Sequence, residues 1–168
     1  MQMKYWEMII LALIETGKEI KLKNVLSLRK KMSQADINSE MIKIGKFLQD
    51  NGAKKAGPVV TATFAIDTLN GQSILDMEIL IPLDKEIAVA GEYTLKPVLH
   101  IVNALYARHE GNPSTLQNTY NKMLAYINQN RLQQITAGYN VQIKDMLTGM
   151  SPDDMIIDVY IGMNPNIL

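Results

Sequence analysis

The sequence predicts an α+β fold in which two strand-helix-strand-strand units form one antiparallel sheet with two helices on one face. Three observations predict it. The same order of apolar patterns occurs twice along the chain. Matching residues of the two copies recur at a nearly constant spacing. Each copy ends in two β-rich runs, and in the first copy these flank Asn70-Gly71, a strong hairpin signal.

In the first copy, residues 20–29 (Ile20-Lys21-Leu22-Lys23-Asn24-Val25-Leu26-Ser27-Leu28-Arg29) alternate partly and read as a strand. A helix is expected to begin between Asp36 and Ser39. Met41, Ile44, Phe47 and Leu48 fall on one of its faces, and Asn51-Gly52 is its stop signal. Residues 58–67 and 74–83 then read as the hairpin strands.

In the second copy, residues 98–109 form the strand and Asn112-Pro113-Ser114 opens a helix. Asn112 suits the cap, and Pro113 suits the first helical position. Leu116, Tyr120, Met123, Tyr126 and Ile127 make the apolar stripe, which ends near Asn130. Residues 137–143 and 155–163 close the unit, with a longer turn between them at 145–154. Arg29 matches Arg108, Ile44 matches Met123 and Asn51 matches Asn130, each at a shift of 79 (130 − 51 = 79). The last strands match at 80, with Glu78 against Asp158 (158 − 78 = 80). The expected organisation is an N-terminal extension over 1–19, helix or strand, and a domain over 20–168 made of repeats 20–90 and 97–165.

Composition narrows the function. The 168 residues are 47% hydrophobic, enough to bury a core. Lys+Arg 17 against Asp+Glu 17 leaves no net charge, so neither nucleic acid nor an anionic membrane is an expected partner. The chain has no cysteine and two histidines, so disulfides, thiol nucleophiles and Cys- or His-rich metal sites are not expected. No cofactor is indicated. The apolar run Met8 to Ile14 is too short to cross a bilayer and is followed by the charged stretch Glu15-Thr16-Gly17-Lys18-Glu19, so a cytoplasmic location is expected. Residues 3–16 could equally pack into the core, form a homodimer or dock a protein partner.

Strand alternation picks out the candidate site. Met77, Ile79 and Ile81 share one side of their strand, while Asp76, Glu78, Leu80 and Pro82 share the other. Likewise Ile157, Val159 and Ile161 can pack under a helix, leaving Asp158, Tyr160 and Gly162 opposite. Acids on a solvated sheet face are ordinary alternation. Here, though, Leu80, Tyr160, Phe64, Tyr106 and Tyr139 place apolar and aromatic area beside Glu78 and Asp158, which suits a hydrophobic or cationic small molecule. On this reading the carboxylates lack a fixed partner, and the ligand supplies one.

The repeated order, the passage Asn51-Gly52-Ala53-Lys54-Lys55-Ala56-Gly57-Pro58 and the endings Glu78-Ile79-Leu80-Ile81-Pro82 and Asp158-Val159-Tyr160-Ile161-Gly162 resemble the GyrI-like superfamily. That group includes effector-binding domains of multidrug-sensing transcription activators. The layout is most similar to standalone GyrI-like proteins of Gram-positive bacteria, some of them associated with type VII secretion toxin loci. The resemblance covers residues 20–165. It implies a ligand cleft on the sheet face away from the helices, where a Glu two places before a Tyr receives a cation. Asp158 holds that place before Tyr160 with a shorter side chain. Gly162 replaces the Pro that usually follows, which the first copy keeps as Pro82.

Three readings remain: a small-molecule-binding domain without its own DNA-binding module, an accessory protein of a secretion or toxin locus, and a small hydrolase with Glu78 or Asp158 as base beside Tyr106 or Tyr160. No complete set of nucleophile, base and orienting residue is legible for the third. Asp153-Asp154 and Asp158 do not match a calcium loop, residues 52–57 lack the Gly-Lys-Ser/Thr of a phosphate loop, and His100 and His109 suit surface or packing roles.

Overall fold

The computed structural model describes residues 14–144 and 149–166. They contain six strands and two α-helices: β1 (Ile14–Met32), α1 (Gln34–Asp50), β2 (Val60–Leu69), β3 (Gln72–Pro82), β4 (Tyr93–Glu110), α2 (Leu116–Gln129), β5 (Gln134–Gln142) and β6 (Ile156–Met163). The class is α+β, and each strand pairing described below is antiparallel. The chain divides into two units: one is Lys21–Leu99, and the other joins the described residues up to Ile20 to those from His100 onward.

In the unit Lys21–Leu99 the strand order is β1-β3-β2. Ser33 sits between β1 and α1 as a capping box: its side chain accepts from the Asp36 N–H, and the Asp36 carboxylate accepts from the Ser33 N–H at 2.8 Å. Such a cap stabilises a helix start by about 1 kcal/mol. The helix therefore begins at Gln34, ahead of the expected start between Asp36 and Ser39. It ends as expected, with Gly52 at φ 63° and the Ala53 N–H returning to the Leu48 carbonyl at 3.0 Å. Asn70 and Gly71, both at positive φ, make the two-residue hairpin between β2 and β3. The core is Leu26 and Leu28 of β1, Met77, Ile79 and Ile81 of β3, and Ile44 and Leu48 of α1. Each such side chain contributes about 1.5–3 kcal/mol on burial.

One carboxylate of this unit was not anticipated. Glu40 of α1 is buried and is held by Lys30 at 2.9 Å and Lys43 at 3.0 Å, with Lys30 also reaching Glu92 at 3.2 Å. The hydrogen bond from Lys30 is the main reason that its carboxyl lies below the usual carboxylate range. A lowered folded-state value stabilises the fold above the unfolded carboxylate value, and that stability is lost as pH falls through the lowered one. Glu40→Gln is expected to lower stability at neutral pH and to flatten its decline below about pH 4. Urea midpoints measured from pH 7 to pH 3 check this.

In the other unit the strand order is β4-β6-β5. The cap predicted for its helix belongs instead to a 3-10 turn, Pro113–Thr115, where the Asn112 side chain accepts from the Ser114 N–H at 3.0 Å; α2 follows directly. Buried His109 fastens this start to β4. Its Nε2–H donates to the Asn112 carbonyl at 3.1 Å, and Nδ1 meets the Thr119 hydroxyl at 2.9 Å. Leu105, Ala107, Met123, Ile127, Ile157, Val159 and Ile161 form the core, joined by Ile14. β1 runs unbroken through residue 20, so the boundary expected at 19/20 falls inside a strand. Of the apolar run read at 3–16, positions 3–13 lie outside the described residues, as do 145–148 of the expected turn at 145–154. Tyr120 of α2 crosses β5 at Gly138, where a Cβ would lie 2.3 Å from its hydroxyl, and it donates to Asn140 Oδ1 at 2.7 Å.

Candidate functional site

The alternation read from the sequence places β3 and β6 correctly. Met77, Ile79 and Ile81, and likewise Ile157, Val159 and Ile161, enter the helix-packed cores. Glu78 and Leu80 of β3, and Asp158, Tyr160 and Gly162 of β6, point the other way. That face does not meet water at the carboxylates: Glu78 is 4% exposed and Asp158 5%. Buried charges of this kind must be paired. Both are, which corrects the expectation that they lack fixed partners.

Asp158 lies opposite Arg108 in the register of β4 and β6. Arg108 donates from Nε to Oδ1 at 2.7 Å and from Nη2 to Oδ2 at 3.0 Å, a two-pronged contact, and the Tyr106 hydroxyl donates to Oδ1 at 3.0 Å. The Asp158 side chain is almost covered, whereas that of Arg108 is 45% exposed. Two residues along β6, Tyr160 pairs with Tyr106 of β4 on one side and Tyr139 of β5 on the other. Three phenol rings thus stand in one cross-strand row, with the Tyr106 and Tyr160 centroids 5.2 Å apart and tilted by 51°. Burial, then the hydrogen bond to Asp158, pushes Tyr106 up to about 12, and burial followed by the Asp158 charge raises Tyr160. Tyr160 also feels the charges of Lys18 and Glu15, which pair with each other at 2.6 Å on β1. Sequence reasoning placed those two residues in the extension and missed them here.

In the unit Lys21–Leu99, Glu78 accepts from the Ser27 hydroxyl at 2.5 Å and from Lys96. Arg29, across from Glu78 in register, bonds Asp76 instead, at 3.2 Å, and lies over the Phe64 ring at 3.7 Å from its centroid. Phe64 sits at the bulge between Thr63 and Ala65 and is 38% exposed. Leu80 is fully buried, so it presents no free surface. The seven residues singled out from the sequence therefore fall into two groups: Tyr106, Tyr139, Asp158 and Tyr160 in one unit, and Phe64, Glu78 and Leu80 in the other. Arg108, Lys96 and Ser27 were missed. The match of Arg29 to Arg108 was a signal for the first of them, because a strand laid antiparallel to β6 brings an arginine to the acid.

Gly162 also has a structural reason. Its N–H donates to the Thr136 hydroxyl at 2.8 Å, and a Cβ there would lie 2.6 Å from Thr136 Cγ2. A proline at this place can make neither accommodation. His100 contacts Glu19 at 3.1 Å. Among the described residues, no group of three His, Cys, Asp or Glu side chains could hold a metal ion, and no helix is long and apolar enough to cross a membrane.

No protein-family sequence profile and no curated protein sequence matches the chain. Solved structures do match. The C-terminal domain of EcmrR superposes with a TM-score of 0.68 at 12% identity, over 90% of this chain and 98% of that domain. EcmrR in its complex with DNA gives 0.73 at 16% identity, over 90% of this chain. The chain therefore has the fold of the EcmrR C-terminal domain. The chain spans 57% of the length of that DNA-bound EcmrR. A hydrolase from Listeria innocua also matches, with a TM-score of 0.55 at 12% identity over 88% of this chain and 92% of that one.

Proposed function

We propose that this GyrI-like chain is a small-molecule-binding domain, and that its ligand is a hydrophobic cation received by Asp158 beside Tyr106, Tyr160 and Tyr139. One observation carries the reading: a nearly covered carboxylate and a row of three tyrosines share the sheet face turned away from the helix-packed core. A structural role alone calls for a paired acid but not for an aromatic row next to it. The rings offer stacking area that tolerates different ligand shapes, and the carboxylate supplies the charge preference. The carboxylate is engaged by Arg108, so a cation competes with that side chain.

The match over 98% of the EcmrR C-terminal domain supports reading this chain as the effector-binding domain of such a regulator. The matching order of strand, helix, strand, strand in each unit supports descent from one duplicated unit. A hydrophobic rhodamine dye is expected to raise the melting temperature, by about 2.7 kcal/mol of stabilisation at a hundredfold excess over Kd. Asp158→Asn and Tyr160→Ala are expected to remove most of the shift. A dye response that both variants leave unchanged would count against this site.

The hydrolase reading takes second place. Tyr106, pushed up to about 12, keeps its proton at neutral pH, and Asp158 is engaged by three hydrogen bonds, a poor state for a general base. An accessory role through residues 3–16 is tested by co-purification with and without that segment.

A further inference from the structure

Arg108 does more at this site than balance a charge. The Asp158 carboxylate is engaged edge-on by two neighbouring N–H groups of a planar cation, Nε at 2.7 Å and Nη2 at 3.0 Å, while Tyr106 takes the remaining side of Oδ1 at 3.0 Å. Its oxygens are nearly out of water, but the guanidinium that serves them is almost half exposed. Arg108 can therefore leave into solvent on a flexible stem, whereas the carboxylate cannot follow. The replacement for Arg108 that fits best brings positive charge and two adjacent N–H donors, because a cation without donors leaves buried lone pairs unmatched. The Tyr106 and Tyr160 rings beside the fork offer a surface for a flat aromatic body.

Glu78 in the unit Lys21–Leu99 shows the contrast. An ammonium and a hydroxyl, Lys96 and Ser27, both meet its Oε1, so no fork is formed. Arg29, opposite it in register, makes its own two-pronged contact with Asp76, at 3.3 and 3.2 Å, but that carboxylate is partly open to water. At Asp158 the fork is shorter and the carboxylate it engages is nearly covered.

We infer that Arg108 is a built-in stand-in for the ligand, and that the Asp158 site selects aromatic amidinium or guanidinium compounds over onium ions that carry no N–H. This rests on the binding function proposed above and names its ligand class. Occupancy by Arg108 weakens apparent affinity by the fraction of time the carboxylate is taken. Removing the guanidinium should therefore strengthen binding of a suitable amidine.

The experiment measures benzamidine and phenyltrimethylammonium binding by calorimetry and thermal shift, with wild-type protein, Arg108→Met and Asp158→Asn. Benzamidine is expected to bind Arg108→Met at least about tenfold more tightly than wild type and to restore much of that variant's lost melting temperature. Phenyltrimethylammonium is expected to do neither, and Asp158→Asn to bind neither probe. Should Arg108→Met not fold alone, Arg108→Lys keeps the charge without the fork and is expected to show the same preference for benzamidine. Equal responses to the two probes, or benzamidine binding no tighter without Arg108, would overturn the inference. If the rhodamine shift persists in that case, only the ligand class is lost; if the dye gives none either, the binding function falls with it.

Discussion

Gly162→Pro is expected to lower the melting temperature by roughly 6–12 °C, the effect of about 3 kcal/mol in a chain of this size. Gly162 lies on β6, the middle strand of its unit, opposite Ala104 of β4. Beyond Gly138 the pairing of β5 with β6 is irregular, and the Thr136 side chain steps in for the missing backbone acceptor at 2.8 Å from the Gly162 nitrogen. Proline removes that donor and adds carbon where Thr136 Cγ2 is 2.6 Å and Ile101 Cγ2 3.3 Å from a Cβ position. A lost buried hydrogen bond costs about 1–3 kcal/mol. Overpacking costs a further 1–3 kcal/mol or so. A proline therefore cannot be accommodated here without also rebuilding Thr136. Calorimetric midpoints of Gly162→Pro and of Gly162→Pro with Thr136→Gly check the argument, the second being the less damaged. An unchanged midpoint for the single variant would contradict the close contact.

The fold was legible where local chemistry decides it. The alternation of Met77, Ile79 and Ile81 against Glu78 and Leu80, the Asn70-Gly71 turn and the α2 stripe each depend on neighbours in sequence. The start of α1 was read late because its capping box has Asp36 at the third helical position, where Glu or Gln is the usual signal. The beginning of β1 was missed because Glu15, Gly17 and Lys18 look like a break, yet the strand continues with Gly17 at φ 65°. The face of each acid could be read, but its environment could not. Whether Glu78 and Asp158 meet water or a cation depends on the register of β3 against β1 and of β6 against β4, strands far apart in sequence with no hairpin turn to fix it. Leu80 and Phe64 were chosen for their apolar character, but the structure buries the first and stacks Arg29 on the second.

The energetics of the Asp158 pair should be lopsided. Arg108→Met is expected to approach the loss of about 3–5 kcal/mol seen when a buried ion pair is broken, because it strands a carboxylate that is only 5% exposed. Asp158→Asn should cost less. The guanidinium it releases is 45% exposed and water can solvate it, while the amide oxygen can still accept from Tyr106. The double variant Arg108→Met with Asp158→Asn is then expected to be more stable than Arg108→Met alone, since no uncompensated charge remains inside. Urea denaturation of the four proteins gives the coupling energy directly. Equal losses for the two single variants, added in full in the double, would mean that the carboxylate does not depend on Arg108, and a ligand could not gain by replacing it.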